Sequence, residues 1–107
     1  METICIKTKL KKGSLEDVRK WFQTLREKPD EVLQSLEKEG VIIESAFLDK
    51  QGHDYFLIYY MKAKSLAHAR EVAMKSTLAI DKYHKECFKK FCEDRMELEP
   101  LIDFHRI

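Results

Sequence analysis

Residues 54–62 read DYFLIYYMK, a run of aromatic and branched side chains between polar flanks. Such side chains are typical of β-strands, and the run is too short for a buried helix, so we predict a strand here. One of its faces carries Tyr55, Leu57, Tyr59 and Met61, and the other carries Phe56, Ile58 and Tyr60. A strand that is apolar on both faces needs a covering layer on each side of its sheet.

The chain before this run predicts one strand and two helical segments. Residues 3–10 alternate between apolar and polar side chains, which is the period of a strand. Ser14 and Asp17 have the spacing of a capping box, so a helix is expected to begin there with each side chain bonding the other's backbone N–H. Pro29 interrupts or restarts this helix, and Gly40 is a natural C-terminal cap.

Two further strands and two further helical segments complete the predicted order. Residues 41–49 form a strand, with one face made by Val41, Ile43 and Phe47 and the other by Ile42, Ala46 and Leu48. Ser65 is expected to cap the next helix, and Asp81 a further helix whose apolar stripe contains His84, Cys87, Phe88 and Phe91. The last strand is expected from about residue 96 to residue 104, where Pro100 indicates an edge strand or a bulge.

The order strand, helix, strand, strand, helix, strand contains two βαβ halves. Right-handed crossovers leave room for the third strand between the first and the second. We therefore predict an α+β fold in one domain over residues 1–107: a ferredoxin-like βαββαβ plait with a four-stranded antiparallel sheet in the order 4-1-3-2 and helices on one face.

The second face of this sheet is also apolar, and the helices cannot cover it. Soluble monomers rarely leave such an area in water, so a second copy of the chain is the simplest cover. Two sheets packed face to face would form a dimeric α/β barrel. Closure by long loops is the alternative, and the short connections leave little chain for it.

The charge balance narrows the classes of partner. The 20 basic and 19 acidic residues cancel to a net charge of +1, so no global field attracts nucleic acid or an anionic membrane. No stretch is long and apolar enough to span a membrane, and no signal peptide is evident. Three cysteines without a CxxC motif argue against a disulfide framework, and the expected location is cytoplasmic.

His84 is the candidate catalytic residue. It is expected in the first turn of its helix, yet it lies on the stripe that faces the sheet. The positive end of the helix dipole disfavours the imidazolium form there, which would leave a neutral ring able to accept a proton near pH 7, and Asp81 would oppose this effect if close. The alternative is a partly buried histidine bonded to a backbone carbonyl.

The candidate ligand-binding residues share an apolar body with a polar tip, or supply a carboxylate: Trp21, Tyr59, Tyr60, Asp81 and Tyr83. They would line a cleft between helices and sheet, although such residues are often ordinary core. Glu44 interrupts an apolar strand, so it must be paired, lie at an interface rim, or be functional, and the rim is the simplest of these.

The sequence lacks the motifs of several kinds of functional site. His84 and Cys87 are the only possible metal ligands at helical spacing and have no third partner, so no metal and no cofactor is expected. There is no glycine-rich phosphate loop and no GxSxG nucleophile motif. The strand at residues 54–60 has aromatic side chains but lacks the glycine and leading basic residue of an RNA-recognition motif.

Four segments carry a resemblance to a known family: ESAFLD at 44–49, DY with YYM between 54 and 61, IDKYHK at 80–85 and LEPLID at 98–103. They resemble small bacterial proteins of unknown function with a ferredoxin-like domain related to the dimeric α/β barrels. That wider superfamily includes cofactor-free monooxygenases of aromatic compounds, haem-degrading enzymes, and isomerases or dehydratases with pockets between sheet and helices. No catalytic set from these enzymes maps onto this sequence.

Two hypotheses of different class follow. The first is a homodimer that binds a small apolar or aromatic organic ligand between sheet and helices, as a cofactor-independent monooxygenase or an isomerase-like enzyme. The second is a structural or regulatory dimerisation domain without chemistry. The packing around His84 distinguishes them, because an open cavity favours the first and dense packing favours the second.

Overall fold

In the computed structural model, which describes residues 1–107, the predicted strand at residues 54–62 is an inner strand of the sheet. This strand, β3 (Asp54–Ala63), pairs antiparallel with β1 (Glu2–Leu10) on one side and with β2 (Val41–Gln51) on the other, and β4 (Cys92–Glu97) pairs with β1. The order β2-β3-β1-β4 is the predicted order 4-1-3-2. The ferredoxin-like plait is thus confirmed.

Four helices cover one face of the sheet: α1 (Leu15–Arg26), α2 (Pro29–Glu39), α3 (Leu66–Lys75) and α4 (Ala79–Phe91). Trp21 of α1 and Cys87 of α4 pack on Leu57 and Tyr59 of β3. A smaller cluster joins Leu36 of α2 and Ala69 of α3 to Val41 and Ala63 at the other end of the same face. The side chains of Tyr55, Leu57, Tyr59 and Met61 therefore point toward the helices.

The helix ends follow the sequence in three places and depart from it in two. Pro29 is the first residue of α2, Gly40 ends that helix with φ +71°, and the Ser65 hydroxyl accepts the His68 N–H at 3.2 Å. The prediction of a capping box at Ser14 is wrong. The Ser14 hydroxyl donates instead to the Lys11 carbonyl, 2.5 Å away across a tight turn.

Asp81 does not cap α4, which is a second correction to the predicted helix ends. The N-cap is Leu78, so Asp81 is the third helical residue, and its carboxylate accepts the hydroxyls of Ser35 and Ser76. His84 accordingly lies in the second turn of α4 rather than the first. The dipole argument for its neutral form therefore loses most of its force.

A bulge in β2 changes which side chains share a face. Val41 lies opposite Ala63, and Ile43 lies opposite the next residue along β3, Lys62. Val41 therefore faces the helices whereas Ile43 and Phe47 face away, and the prediction that these three share a face is wrong. The bulge adds one residue on β2 without a partner on β3, which reverses the alternation at that point.

The last strand is shorter than predicted and begins earlier, at Cys92 instead of about residue 96. It ends at Glu97, and Pro100 lies outside it, in a segment without regular structure that runs to Ile107. The Leu98 N–H donates to the Cys5 carbonyl at 2.9 Å. Two residues on, where the next such bond would form, Pro100 has no N–H to donate, so the ladder stops.

The side of the sheet away from the helices is here called the open face, and its apolar members include Phe47, Phe56, Ile58 and Tyr60. The C-terminal segment contacts one end of it, where Lys62, a residue only 2% exposed, pairs through its ammonium group with Asp103 at 2.6 Å. Elsewhere Phe47 remains 58% exposed. No helix of the protein is long and apolar enough to cross a membrane.

Candidate functional site

A cavity of about 320 Å³ lies between the sheet and the four helices. Its apolar lining includes Ile6, Leu25, Val32, Leu36, Met61, Ala73, Ile80 and Phe88. Its polar lining consists of Ser35, Glu39, Glu44, Tyr59, Asp81, His84 and Lys85. Apolar walls with a few converging polar groups are the usual composition of a small-molecule site.

Both ring nitrogens of His84 are engaged. The Trp21 indole N–H donates to His84 Nδ1 at 3.0 Å, and His84 Nε2 lies 3.1 Å from the Tyr59 hydroxyl. Because an indole N–H can only donate, Nδ1 must carry a lone pair. A neutral ring then holds its proton on Nε2 and donates it to the Tyr59 oxygen.

Burial keeps His84 neutral. Desolvation lowers the pKa of His84 from 6.5 to about 4, and the opposing attraction from Asp81 is smaller. The sequence argument also expected a neutral ring, but attributed this to the helix terminus. Since both nitrogens are occupied, His84 has no free atom for exchanging protons with a ligand.

The direction of these bonds extends to Glu44. The Tyr59 oxygen accepts from His84, so its own proton points elsewhere, and the carboxyl of Glu44 is the acceptor beside it. Hydrogen bonding to Tyr59 lowers the pKa of Glu44, while burial has the larger effect and raises it. Trp21, His84 and Tyr59 thus form one directed chain of donors and acceptors, and its last proton is directed toward the Glu44 carboxyl group at the cavity.

Glu39 and Asp81 bring two more carboxyl groups to the cavity. Burial and the negative charges of Glu44 and Asp81 raise the pKa of Glu39 to about 7. The Ser35 oxygen lies 3.3 Å from Glu39 Oε1 and 2.5 Å from Asp81 Oδ1, and its single proton can serve only one of them. A protonated Glu39 that donates to Ser35, which in turn donates to Asp81, satisfies all three groups.

The predicted site residues separate into three groups. Tyr59, Asp81 and His84 line the cavity. Trp21, 1% exposed, lies behind His84 and positions its ring, and Tyr83 packs against the core beside Cys87. Tyr60 is on the open face, because it follows Tyr59 directly in a strand.

Two carboxyl groups of the cavity were not among the sequence candidates. Glu44 was noticed as an acidic interruption of an apolar strand and assigned to a rim, because the sequence alone does not show which face of β2 meets the helices. Glu39, near the end of α2, carried no signal at all, and only the packing of α2 over β2 brings it to the cavity.

Solved structures share this fold at low sequence identity. A putative antibiotic biosynthesis monooxygenase from Nitrosomonas europaea superposes with a TM-score of 0.61 at 13% identity, over 95% of this chain and 100% of that one. An L-rhamnose mutarotase from Formosa agariphila gives 0.59 at 20% identity, over 98% and 100%. An uncharacterised NIPSNAP domain protein from Burkholderia xenovorans gives 0.61 at 13% identity, over 98% and 100%. Identities this low show the fold alone.

At the level of sequence, no curated protein matches the chain. Residues 1–107 match DUF6176, described as a family of unknown function. This confirms the expectation, drawn from the four sequence segments, that the chain belongs to a family of unknown function. The protein belongs to the family of unknown function DUF6176.

Proposed function

We propose that the protein binds a small organic molecule with an apolar body in the cavity between sheet and helices, and that it acts there as a cofactor-independent enzyme of the isomerase type. The observation that supports this most is the convergence of Glu39, Glu44, Tyr59 and Asp81 on a cavity with apolar walls. A dense core at this place would have favoured a dimerisation domain without chemistry.

Proton transfer is the chemistry that suits these groups. A carboxyl group whose pKa is raised toward the working pH exchanges protons efficiently in both directions, and burial raises the pKa of Glu44 as well as that of Glu39, the latter to about 7. An isomerisation moves a proton between two atoms of the substrate and needs no further reactant. A monooxygenase would in addition need oxygen activation by the bound ligand itself.

Filling the cavity tests the binding proposal. Ala73 lines the cavity and also a neighbouring one of about 160 Å³, so Ala73→Phe places a ring in the space that a ligand would occupy. In an NMR screen of small cyclic and aromatic fragments, we expect fragments that shift His84 and Ile80 signals in the wild type to bind at least about tenfold more weakly to Ala73→Phe.

Ala67→Phe is the matched control, because Ala67 is exposed on the same helix. Fragments should bind this variant as they bind the wild type. If no fragment shifts the cavity signals of the wild type, the binding proposal fails and the dimerisation domain becomes the better account.

A homodimer through the open face belongs to the same proposal. Ile43, Phe56, Ile58 and Tyr60 make this face apolar, and Phe47 extends it to the edge strand β2. The paired charges Lys7–Asp49 and Lys9–Asp54, at 3.3 and 3.7 Å, lie beside these side chains and neutralise each other. A cytoplasmic location is also proposed, supported by three cysteines that form no disulfide.

A charge on this face should weaken the dimer. Ile58 faces away from the helices, whereas Leu57 is buried under them, so Ile58 is the position to alter. Sedimentation of the wild type at micromolar concentration should give about twice the chain mass of 12.7 kDa, and Ile58→Glu should sediment as a monomer. Leu33→Glu, on the exposed side of α2, should remain dimeric. A monomeric wild type would end the dimer proposal.

A further inference from the structure

The directed chain from Trp21 to Glu44 shows which atoms remain for a ligand. His84 uses Nδ1 to accept from Trp21 and Nε2–H to donate to Tyr59. The oxygens of Asp81 accept the hydroxyls of Ser35 and Ser76, and a protonated Glu39 donates its proton to Ser35, so neither group is a free base. No hydrogen bond within the protein engages the Glu44 carboxyl group apart from the Tyr59 proton directed toward it, and the group lines the cavity together with Tyr59 and so remains available to a ligand.

We propose that Glu44 is the catalytic residue that exchanges protons with the bound molecule, that Tyr59 is its hydrogen-bonding partner, and that His84 is a positioning residue. This inference rests on the proposed function and names the groups that perform it. Glu44 belongs to a strand whose residues 43–51 pair without interruption with β3, so the sheet fixes the position of its backbone at the cavity.

The proposed step balances within the substrate. The Glu44 carboxylate takes a proton from a substrate carbon next to a carbonyl group, the C–H electron pair forms a carbon–carbon double bond, and the π pair of the carbonyl group moves onto its oxygen. Once Glu44 carries that proton, it no longer needs the Tyr59 hydroxyl, which turns toward the negative oxygen of the intermediate. The Glu44 acid then returns the proton to a different atom of the substrate, so neither protons nor electrons are gained or lost.

His84 sets the direction of this arrangement. Because its Nε2–H is donated to the Tyr59 oxygen, the phenol proton is directed to Glu44 and not to the imidazole. A ring protonated on Nδ1 would reverse this order and would also place two hydrogens between His84 and Trp21. The packing of Trp21, which is 1% exposed, thereby selects the state of Tyr59 that stabilises the Glu44 carboxylate.

A probe reaction tests the assignment without knowledge of the substrate. 5-Nitrobenzisoxazole loses one carbon-bound proton to a base, its N–O bond breaks, and a coloured phenolate forms, so a carboxylate in an apolar cavity accelerates it without any co-reactant. We expect the wild type to accelerate the reaction above buffer, and Glu44→Gln to lose at least about tenfold of that rate. Glu37→Gln, on the exposed side of α2, should keep it within about twofold.

The role of His84 is tested by the pH profile of the same reaction. His84→Gln retains an N–H that can reach Tyr59, and His84→Phe does not. A hydroxyl that accepts one hydrogen bond donates a stronger one, so losing the His84 donor weakens the interaction of Tyr59 with the Glu44 carboxylate, and the apparent pKa of the rate should be higher for His84→Phe than for the wild type or His84→Gln. The other ionisable groups that face Glu44 are Glu39, Asp81 and Lys85, and the wild type and both variants contain them.

A second readout does not depend on the probe. Carbon NMR of protein labelled at glutamate carboxyl groups, with the Glu44 signal identified by its loss in Glu44→Gln, should show Glu44 titrating above its ordinary pKa of 4.5 and higher still in Tyr59→Phe. A probe that binds and reacts equally with Glu44→Gln overturns the assignment and leaves the binding proposal standing. If the probe does not enter the cavity, an unshifted Glu44 or one indifferent to Tyr59→Phe overturns it.

Discussion

Replacing His84 with alanine is expected to lower the free energy of unfolding by about 2–4 kcal/mol. The Trp21 indole N–H is buried and would lose its acceptor, and Tyr59 would lose a donor. The ring also packs edge-on against Phe88, with centroids 5.3 Å apart, so its removal leaves a space in the core. Urea denaturation of the wild type and His84→Ala measures the difference.

A variant that keeps part of the bonding separates the polar from the packing contribution. His84→Gln should lose less stability than His84→Ala, because its amide offers both an acceptor and a donor. His68→Ala, on the exposed side of α3, should change stability by no more than about 0.5 kcal/mol. A loss below about 1 kcal/mol for His84→Ala would show that the bonds to Trp21 and Tyr59 contribute little in solution.

The second large effect is a dependence of stability on pH. His84 has a pKa of about 4 in the folded protein and 6.5 when unfolded, so between these values the unfolded chain binds more protons. The contribution of His84 to the free energy of unfolding is therefore present above pH 6.5 and lost as the pH falls through 4. It amounts to about 3 kcal/mol, at 1.36 kcal/mol for each pKa unit.

Glu39 has the opposite effect on the pH dependence of stability, over an overlapping pH range. Its pKa is raised from 4.5 to about 7, so its contribution is present below pH 4.5 and lost as the pH rises through 7. The two effects partly cancel in the wild type. The stability of the wild type minus that of His84→Gln removes the shared contribution of Glu39, and this difference should fall by about 3 kcal/mol from pH 7.5 to pH 4. A difference independent of pH would mean that His84 is not desolvated.

The fold was predictable from sequence because it depends on local periodicity. The two apolar faces of residues 55–61, the glycine after α2 and the proline at its start each determine an element or its end. The errors came from local features that a pattern of apolar and polar residues does not show. The Ser14 hydroxyl donates to the Lys11 carbonyl instead of capping the helix, and the bulge after Val41 reverses the alternation of β2.

The residues of the candidate site were predictable only where the sequence pattern of a single helix or strand identified them. His84 drew attention because a titratable ring lay on an apolar helical stripe. Its partners Trp21 and Tyr59 are 63 and 25 residues away in sequence, and only the packing of α1 and α4 on β3 determines which nitrogen of His84 meets which partner. Glu44 was assigned to an interface rim for the same reason, since no local feature shows that its face of the sheet lies under the helices.

The most direct test of the account is nitrogen NMR of the His84 ring. The bonds to Trp21 and Tyr59 require a neutral imidazole with its proton on Nε2 and none on Nδ1, and the lowered pKa requires this state to persist from pH 8 down to about pH 5. We therefore expect one protonated and one unprotonated ring nitrogen, assigned to Nε2 and Nδ1 respectively, and no titration near pH 6.5. A proton on Nδ1, or a His84 that titrates near pH 6.5, would contradict the directed chain to Glu44.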